Sequence, residues 1–514
     1  MSSKSNMLGG FMTVGFWTLM SRLLGFARDV MVAAFLGTGP AAQAFIVAFS
    51  LPNMFRRFFA EGAFNMAFVP MFSKKLEAND DPLEFARDAF SGLATILIVL
   101  TIIAMIFMPW LVWAMASGFV GDARFDLAVI YGRIAFPYIL FISLAALLSG
   151  VLNAAHRFKA AAAAPVLLNI IFIIALVLGW LMNADIGLLL AWVVPVAGMA
   201  QLALVWVATK RAGFALIPKR PVFTPDLKRL AIIAAPAALA GGVVQVNLLV
   251  GRQVASQFDG AVAWLYNADR LYQLPLGVVG IAIGIVLLPE LSRRLQAGDD
   301  AGGKEAFSRA GEISLALTIP AAIALIVIPL PLVEVLFQRG LFGPDDTAST
   351  AAAVQIYGLG LPAFVLQKIY QPLFFARANT KTPFYYALIA MVINAGLAIG
   401  LAPVIGYLAA AIGATLASWA MVGLLWFGTR GMGASARFDA RFKIRIWRII
   451  WASAIMGAIL LLAQLLLNPM FGASGWRYLA LAILVFIGAG SYFTAGQMLG
   501  AFKLSEFKRA MRRS

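Results

Sequence analysis

The sequence predicts an all-α polytopic membrane protein with fourteen transmembrane helices. Three observations carry that expectation. Of 514 residues, 62% are hydrophobic and only 12% are charged, against about 25% charged in an ordinary soluble domain. Apolar stretches long enough to cross a hydrocarbon core, roughly 20 residues each, recur along the whole chain. Every second connection between them is rich in Lys and Arg, the mark of loops held on the cytoplasmic side.

The stretches lie near 9–37, 41–72, 89–117, 126–152, 161–182, 186–208, 230–255, 261–290, 311–337, 350–376, 384–404, 408–428, 447–468 and 477–500. The first contains Arg22, Arg28 and Asp29 and is followed by no small-residue cleavage site, so it reads as a retained helix rather than a signal peptide. After segment 2 come Lys74, Lys75 and Arg87; after segment 4, Arg157 and Lys159; after segment 6, Lys210, Arg211, Lys219, Arg220, Lys228 and Arg229. The connections after segments 8, 10 and 12 carry Arg293 and Arg294, Arg377 and Lys381, and Arg430 to Arg448. Odd connections are nearly bare of base, holding Arg124, Arg339 and Arg477 among several aspartates. Both termini are therefore expected in the cytoplasm, with the chain multi-pass in the membrane.

Residues 69–76 read VPMFSKKL and 288–295 read LPELSRRL. Each closes the second helix of a set, so two parallel six-helix lobes are expected. The N-lobe covers 1–222, the C-lobe 223–430, and 431–514 adds helices 13 and 14 with a basic cytoplasmic tail.

Several function classes drop out. Cysteine is absent, which removes disulfides, thiolate metal sites and cysteine nucleophiles. The lone His156 lies beside Arg157 and Lys159 and reads as surface. Residues 298–304, GDDAGGK, have P-loop glycine and lysine spacing, but Glu305 follows where Ser or Thr is needed, and no strand precedes. GLG at 358–360 sits in an apolar helix and reads as packing. No catalytic residue, metal site or cofactor is expected, and the chain is not read as an enzyme. The net charge of +17 is spread over short loops. It fits anionic membrane lipids and topology better than nucleic acid.

Eight basic residues fall within or near the ends of apolar segments: Arg22, Arg28, Arg56, Arg57, Arg133, Arg252, Arg270 and Lys368. A charge at a helix centre costs about 2.5–3.5 kcal/mol even on the lenient insertion scale. Plain explanations serve some of them. Arg133 and Lys368 lie where long side chains snorkel to headgroups. Arg57 stands four residues before Glu61, the spacing of a helical ion pair. Arg22 and Asp29, seven apart, share a face. Arg28, Arg56 and Arg270 have no opposite charge three or four residues away, and Asp269 beside Arg270 points about 100° around the helix. These arginines predict a central cationic cavity between the lobes. Arginine's planar fork suits phosphate and stays charged when desolvated. Gly25, Pro52, Asn53 and Pro275 lie close by, where kinks would let helices line a cavity, although ordinary packing explains a single Gly or Pro equally well.

Four stretches carry a family resemblance: SRLLGFARD (Ser21 to Asp29), AFSLPNMFRRFFAEGAFNMAFVP (Ala48 to Pro70), NADRLYQLPLGVVGIAIG (Asn267 to Gly284) and ARANTKTP (Ala376 to Pro383). They resemble the MurJ/MviN family of bacterial lipid II flippases, within the multidrug and polysaccharide exporter superfamily. The resemblance implies a two-lobed carrier of alternating access. Its substrate would be lipid II, the undecaprenyl-diphosphate-linked peptidoglycan precursor, moved from the inner to the outer leaflet. It implies that Arg22, Arg28, Arg56 and Arg270 serve the diphosphate and that Asp29 and Glu61 match family acids. Asn53, Arg57, Arg252 and Asp269, from their places in the same helices or beside these residues, are candidate supports. It also implies a groove for the isoprenoid tail at the last two helices. Gln43 departs from an acid found in some relatives, and Asn379 from a frequent aspartate, so charge at either position is in question. The alternatives are a small-molecule antiporter of the multidrug type, a flippase for another polyprenyl-linked polysaccharide, and an anion channel. A cationic cavity argues against export of cationic drugs. With no nucleotide site, transport would draw on gradients or on the substrate's own charge, in a chain expected to be monomeric.

Overall fold

The computed structural model describes residues 2–57, 65–282, 287–472 and 475–502, and every regular element among them is helical. In the first half run α1 (Ser2–Leu36), α2 (Pro40–Arg56), α3 (Asn65–Ala78), α4 (Pro82–Ile106), α5 (Met108–Met115), α6 (Ala123–Ala135), α7 (Tyr138–Ala154), α8 (Phe158–Leu181), α9 (Ile186–Arg211) and α10 (Pro225–Ser256). In the second run α11 (Ala261–Ala282), α12 (Leu288–Gln296), α13 (Asp300–Val327), α14 (Pro329–Phe337), α15 (Pro344–Phe375), α16 (Lys381–Ile405), α17 (Leu408–Gly428), α18 (Ala440–Phe471) and α19 (Trp476–Met498).

The starts of these helices follow from local chemistry. Pro40, Pro82, Pro225 and Pro344 open helices at the position where a missing N–H costs nothing. Asp122, Asp185, Thr224, Asp299 and Asp439 cap α6, α9, α10, α13 and α18 through their side-chain oxygens. Three expected segments are split where proline interrupts the hydrogen-bond ladder. Segment 3 divides into α4 and α5 ahead of Pro109, segment 4 into α6 and α7 at Pro137, and segment 9 into α13 and α14 at Pro329.

Among the described residues, ten helices or helix pairs are long and apolar enough to cross a membrane. The four expected segments outside that set are those of α1, α2, α10 and α11. These are the helices that carry Arg22, Arg28, Arg56, Arg252 and Arg270. Large apolar side chains face outward, among them Ile102, Ile103 and Ile106 of α4, Leu466 of α18 and Phe486 of α19. An apolar exterior of that extent belongs in lipid.

The chain packs as two units. One comprises Met1–Ala263 with Arg339–Phe342, the other Trp264–Gln338 with Gly343–Ser514. Inside the first, Phe68 stacks on Phe72 and Phe85 at 5.6 and 5.5 Å and ties α3 to α4. The turn at Gly340, with φ +58, runs so close to Ala34 that a Cβ would strike its carbonyl, and Leu341 N–H donates to that oxygen at 2.9 Å.

Inside the second unit, Ile369, Leu373 and Phe374 of α15 pack with Met421 and Leu425 of α17. The last two helices are anchored to α13. Ile449, Met456 and Leu460 of α18 share a core with Leu484 and Tyr492 of α19, and the Tyr492 hydroxyl donates to the Ala316 carbonyl at 2.6 Å. At the base of α18, Arg309 reaches both Glu312 and Asp439, while Arg445 donates to Glu312 at 3.2 Å. Glu312 is only 6% exposed, and burying it is tolerable because guanidinium groups surround it.

Candidate functional site

Arg28 is the best-defined cation inside an apolar helix. Its Nε and Nη2 donate to Asp29 Oδ1 at 3.1 and 2.8 Å. Its Nη1 donates to Asn169 Oδ1 on α8 at 3.0 Å. The guanidinium also stands 5.5 Å from the Phe172 ring centroid. Asn169 completes the frame by donating from Nδ2 to the Ser21 carbonyl at 3.0 Å. A Cβ built on Gly25 would stand 3.4 Å from Asn169 Nδ2, in ordinary contact, so α1 and the Asn169 side chain pack closely here. Asp29 and Asn169 are both 5% exposed. A planar five-donor cation is thus fixed in orientation at the α1–α8 contact, as recognition of an oxyanion requires.

The other described site candidates lie on, or at the end of, α1, α2, α10 and α11. Arg22 is exposed on α1 and makes no ion pair among the described residues, so the Arg22–Asp29 pair considered from spacing is not formed. Arg56 ends α2 half-buried and Arg57 follows it exposed. Glu61, expected as the partner of Arg57, lies outside the described residues. The Asn53 side chain is turned back on its own helix, donating to the Phe49 carbonyl at 2.8 Å. Arg252 is half-buried on α10. In the other unit, Arg270 lies 4.4 Å from the Tyr266 ring centroid, and Asp269 accepts from Gln273 one turn on. Arg133 is exposed and donates to the Met105 carbonyl at 3.1 Å, and Lys368 is exposed.

Within the first unit the structure shows a network that spacing alone did not reveal. Gln43, fully buried on α2, donates to Asp259 Oδ1 at 2.9 Å and accepts from Arg124 Nη1 at 3.4 Å. Arg124 also donates from Nε to Asp122 at 2.6 Å and lies over the Phe119 ring at 4.7 Å. Bonding to the Arg124 guanidinium holds the Asp122 carboxyl below its ordinary value. Next to this network, Gln253 near the end of α10 accepts from Ser117 N–H and Oγ at 3.0 and 2.7 Å. It donates to the Trp113 and Ala114 carbonyls at 2.8 and 2.6 Å. Ser256 Oγ accepts from Gly118 N–H at 3.1 Å, and a Cβ on Gly118 would collide with the Ser256 backbone. The end of α10 is therefore latched to α5 and the α5–α6 connection by at least five side-chain hydrogen bonds.

Asn169, Arg124 and Gln253 were missed as functional candidates. Asn169 carried a readable signal, being the only hydrophilic side chain from Ala160 to Met182. Arg124 and Gln253 sit at helix ends, where polar residues are expected for ordinary reasons.

Comparison with known proteins places this geometry in context. A family model described as lipid II flippase MurJ matches residues 32–485. A protein of Rhizobium meliloti (strain 1021) named probable lipid II flippase MurJ is 45% identical over 513 residues, covering 98% of this chain and 96% of its own. The Burkholderia cenocepacia lipid II flippase MurJ is 36% identical over 440 residues, covering 83% and 84%. Among solved structures, a lipid II flippase MurJ in an inward closed conformation superposes with a TM-score of 0.79 at 24% identity, covering 94% of this chain and 98% of that one. An inward-facing multidrug resistance MATE family transporter reaches a TM-score of 0.63 at 15% identity, covering 82% and 98%. These two structures show a shared fold.

Proposed function

The chain belongs to the lipid II flippase MurJ family, and we propose on that footing how its residues carry the substrate. It is a multi-pass membrane protein that translocates lipid II, the lipid-linked peptidoglycan precursor, from the inner to the outer leaflet by alternating access. We assign it to the bacterial inner membrane, with both termini cytoplasmic, on the alternation of basic loops. Lobes 1–222 and 223–430 would each supply arginines, with 431–514 appended.

The observation that carries the substrate reading is the frame around Arg28. A guanidinium placed in an apolar helix and aimed by Asp29 and Asn169 presents a fork matched to phosphate oxygens. We assign the diphosphate to Arg22, Arg28, Arg56 and Arg270. Arg22 is the exposed member, open to meet the substrate first. At Arg28 the arriving phosphate competes with Asp29, a neutralised pair, so the empty site is not a bare buried charge. Arg57, Arg252, Asp269 and Asn53 support the helices that present these groups, and Glu61 joins them as a family acid. The Gln253 and Gln43 contacts belong, on this reading, to the extracytoplasmic end of the first unit, because the connections involved are those with few basic residues.

The test is replacement of the native flippase in a bacterium of matching wall chemistry. Complementation with this chain should clear accumulated lipid II and prevent lysis. Intact walls without it, together with altered drug sensitivity, would instead favour a multidrug-type antiporter.

A further inference from the structure

The second unit holds a cavity of about 370 Å³ between α13, α15, α17 and α18, and no arginine assigned to the diphosphate is among its lining residues. Its lining is almost wholly apolar and includes Tyr370, Trp419, Gly423, Trp426, Phe438 and Phe442. It opens outward: Trp419 and Trp426 are 42% and 52% exposed, and nothing lies within 4 Å of a Cβ built on Gly423. In a chain that spans a membrane, such an opening admits hydrocarbon.

The rim supplies the second half of a ligand site. Arg430 is exposed and held flat against two rings, 4.5 Å from the Trp426 centroid and 4.9 Å from that of Phe427. Arg437 is exposed and adjoins Phe438 of the lining. Neither has a carboxylate within ion-pair distance among the described residues. Their neighbours differ: Arg309, Arg441 and Arg445 are drawn onto Glu312 and Asp439. An uncompensated guanidinium, that of Arg430, therefore borders an apolar cavity, and a second, Arg437, directly precedes Phe438 of the lining, both in the connection between α17 and α18 that the charge pattern places at the cytoplasmic headgroup level.

We infer that this is a binding site for one anionic phospholipid, with a length of acyl chain in the cavity and its phosphate on Arg430 and Arg437. Charge complementarity selects an acidic lipid over a zwitterionic one, whose own cation would face the same arginines. The cavity takes part of one acyl chain and is too small for a long polyprenyl chain. Because α15 and α18 both line it, the lipid would brace α18 against the rest of the second unit.

The test uses the intact protein in nanodiscs containing lipids brominated on the acyl chain, which quench tryptophan on contact. The signal is the quenching lost when Trp419 and Trp426 are replaced by Phe. Brominated phosphatidylglycerol should quench this component at an about five-fold lower mole fraction than brominated phosphatidylcholine, as expected when cations contact an acidic headgroup. Arg430→Gln with Arg437→Gln should bring the two curves together. Gly423→Leu, which fills the cavity, should weaken quenching by both lipids. Equal quenching by the two lipids in the unaltered protein would overturn the assignment, as would a preference that survives the double arginine change. Displacement of the phosphatidylglycerol by undecaprenyl phosphate at equal mole fraction would also overturn it, by giving the cavity to a polyprenyl chain.

Discussion

Arg28 and Asp29, adjacent on α1, bond to each other through both Nε and Nη2 of the arginine. Neighbours on a helix leave the axis about 100° apart, but arginine is long enough to fold back around the turn. Asn169 draws the third donor across to α8. The consequence is a cation whose direction is set by two helices rather than by its own rotamer.

Asn169→Ala should therefore act on Arg28 without touching charge. It removes one hydrogen bond to a charged group, worth about 1.5–3 kcal/mol, so flipping should fall by about 10- to 100-fold. Membrane abundance should stay normal, measured by immunoblot beside the transport assay. Unchanged transport would show that Arg28 needs no partner from α8.

The latch at the end of α10 predicts a local change in hydrogen exchange. Ser117 and Gly118 N–H donate to Gln253 and Ser256. Gln253→Ala should raise exchange at these two amides by about 10-fold or more, the effect of about 1–3 kcal/mol of lost bonding. Amides in α16, in the other unit, should keep their rates. Equal protection in both proteins would mean that these amides are held by something other than the latch.

Asp122 gives a pH dependence with a definite sign. Its carboxyl is lowered from an ordinary value of 3.8 by the Arg124 hydrogen bond. Its stabilising contribution is then fully present above that value and is lost as pH falls through the lowered one. Asp122→Asn should unfold at a lower temperature than the unaltered protein at pH about 6, and the gap should close only as pH falls below the ordinary carboxylate range and through the lowered value. A gap that stays constant with pH would show that the carboxylate charge is not what matters.

The helices were legible because membrane spanning is a strong constraint. Roughly 20 apolar residues leave few alternatives, and α17 occupies the 408–428 read from hydropathy. The interruptions at Pro109, Pro137 and Pro329 were less legible, since membrane helices tolerate proline when neighbours resatisfy the backbone. Side-chain partnerships were hardest. Helical spacing offered Arg22 to Asp29, but Arg28 took it because reach decided the pairing. Gln43 joins Arg124 and Asp259 across 81 and 216 residues of sequence, and a single chain carries no trace of such a meeting. The departure from an acid at Gln43 has a physical role in this chain. An amide there donates to one neighbour and accepts from the other, which a carboxylate cannot do.

The driving force follows from charge. The substrate's diphosphate is anionic and the cytoplasm is electrically negative. Each charge that crosses the full field gains about 2.3 kcal/mol per 100 mV, or roughly 4–5 kcal/mol for two. Collapsing the potential at a constant pH difference should stop flipping, while an electroneutral proton exchanger should slow it little. The reverse pattern would point to cation coupling, with Asp29, Glu61 and Asp269 as the first residues to examine.

The central claim is that intramembrane arginines carry the diphosphate. The most direct measurement is the rate at which lipid II appears in the outer leaflet of cells that depend on this chain. Arg28→Ala, Arg56→Ala and Arg270→Ala should each abolish it at normal membrane abundance, and Arg28→Lys should rescue poorly because an ammonium cannot reproduce the fork. Full flipping by all three alanine variants would contradict the account.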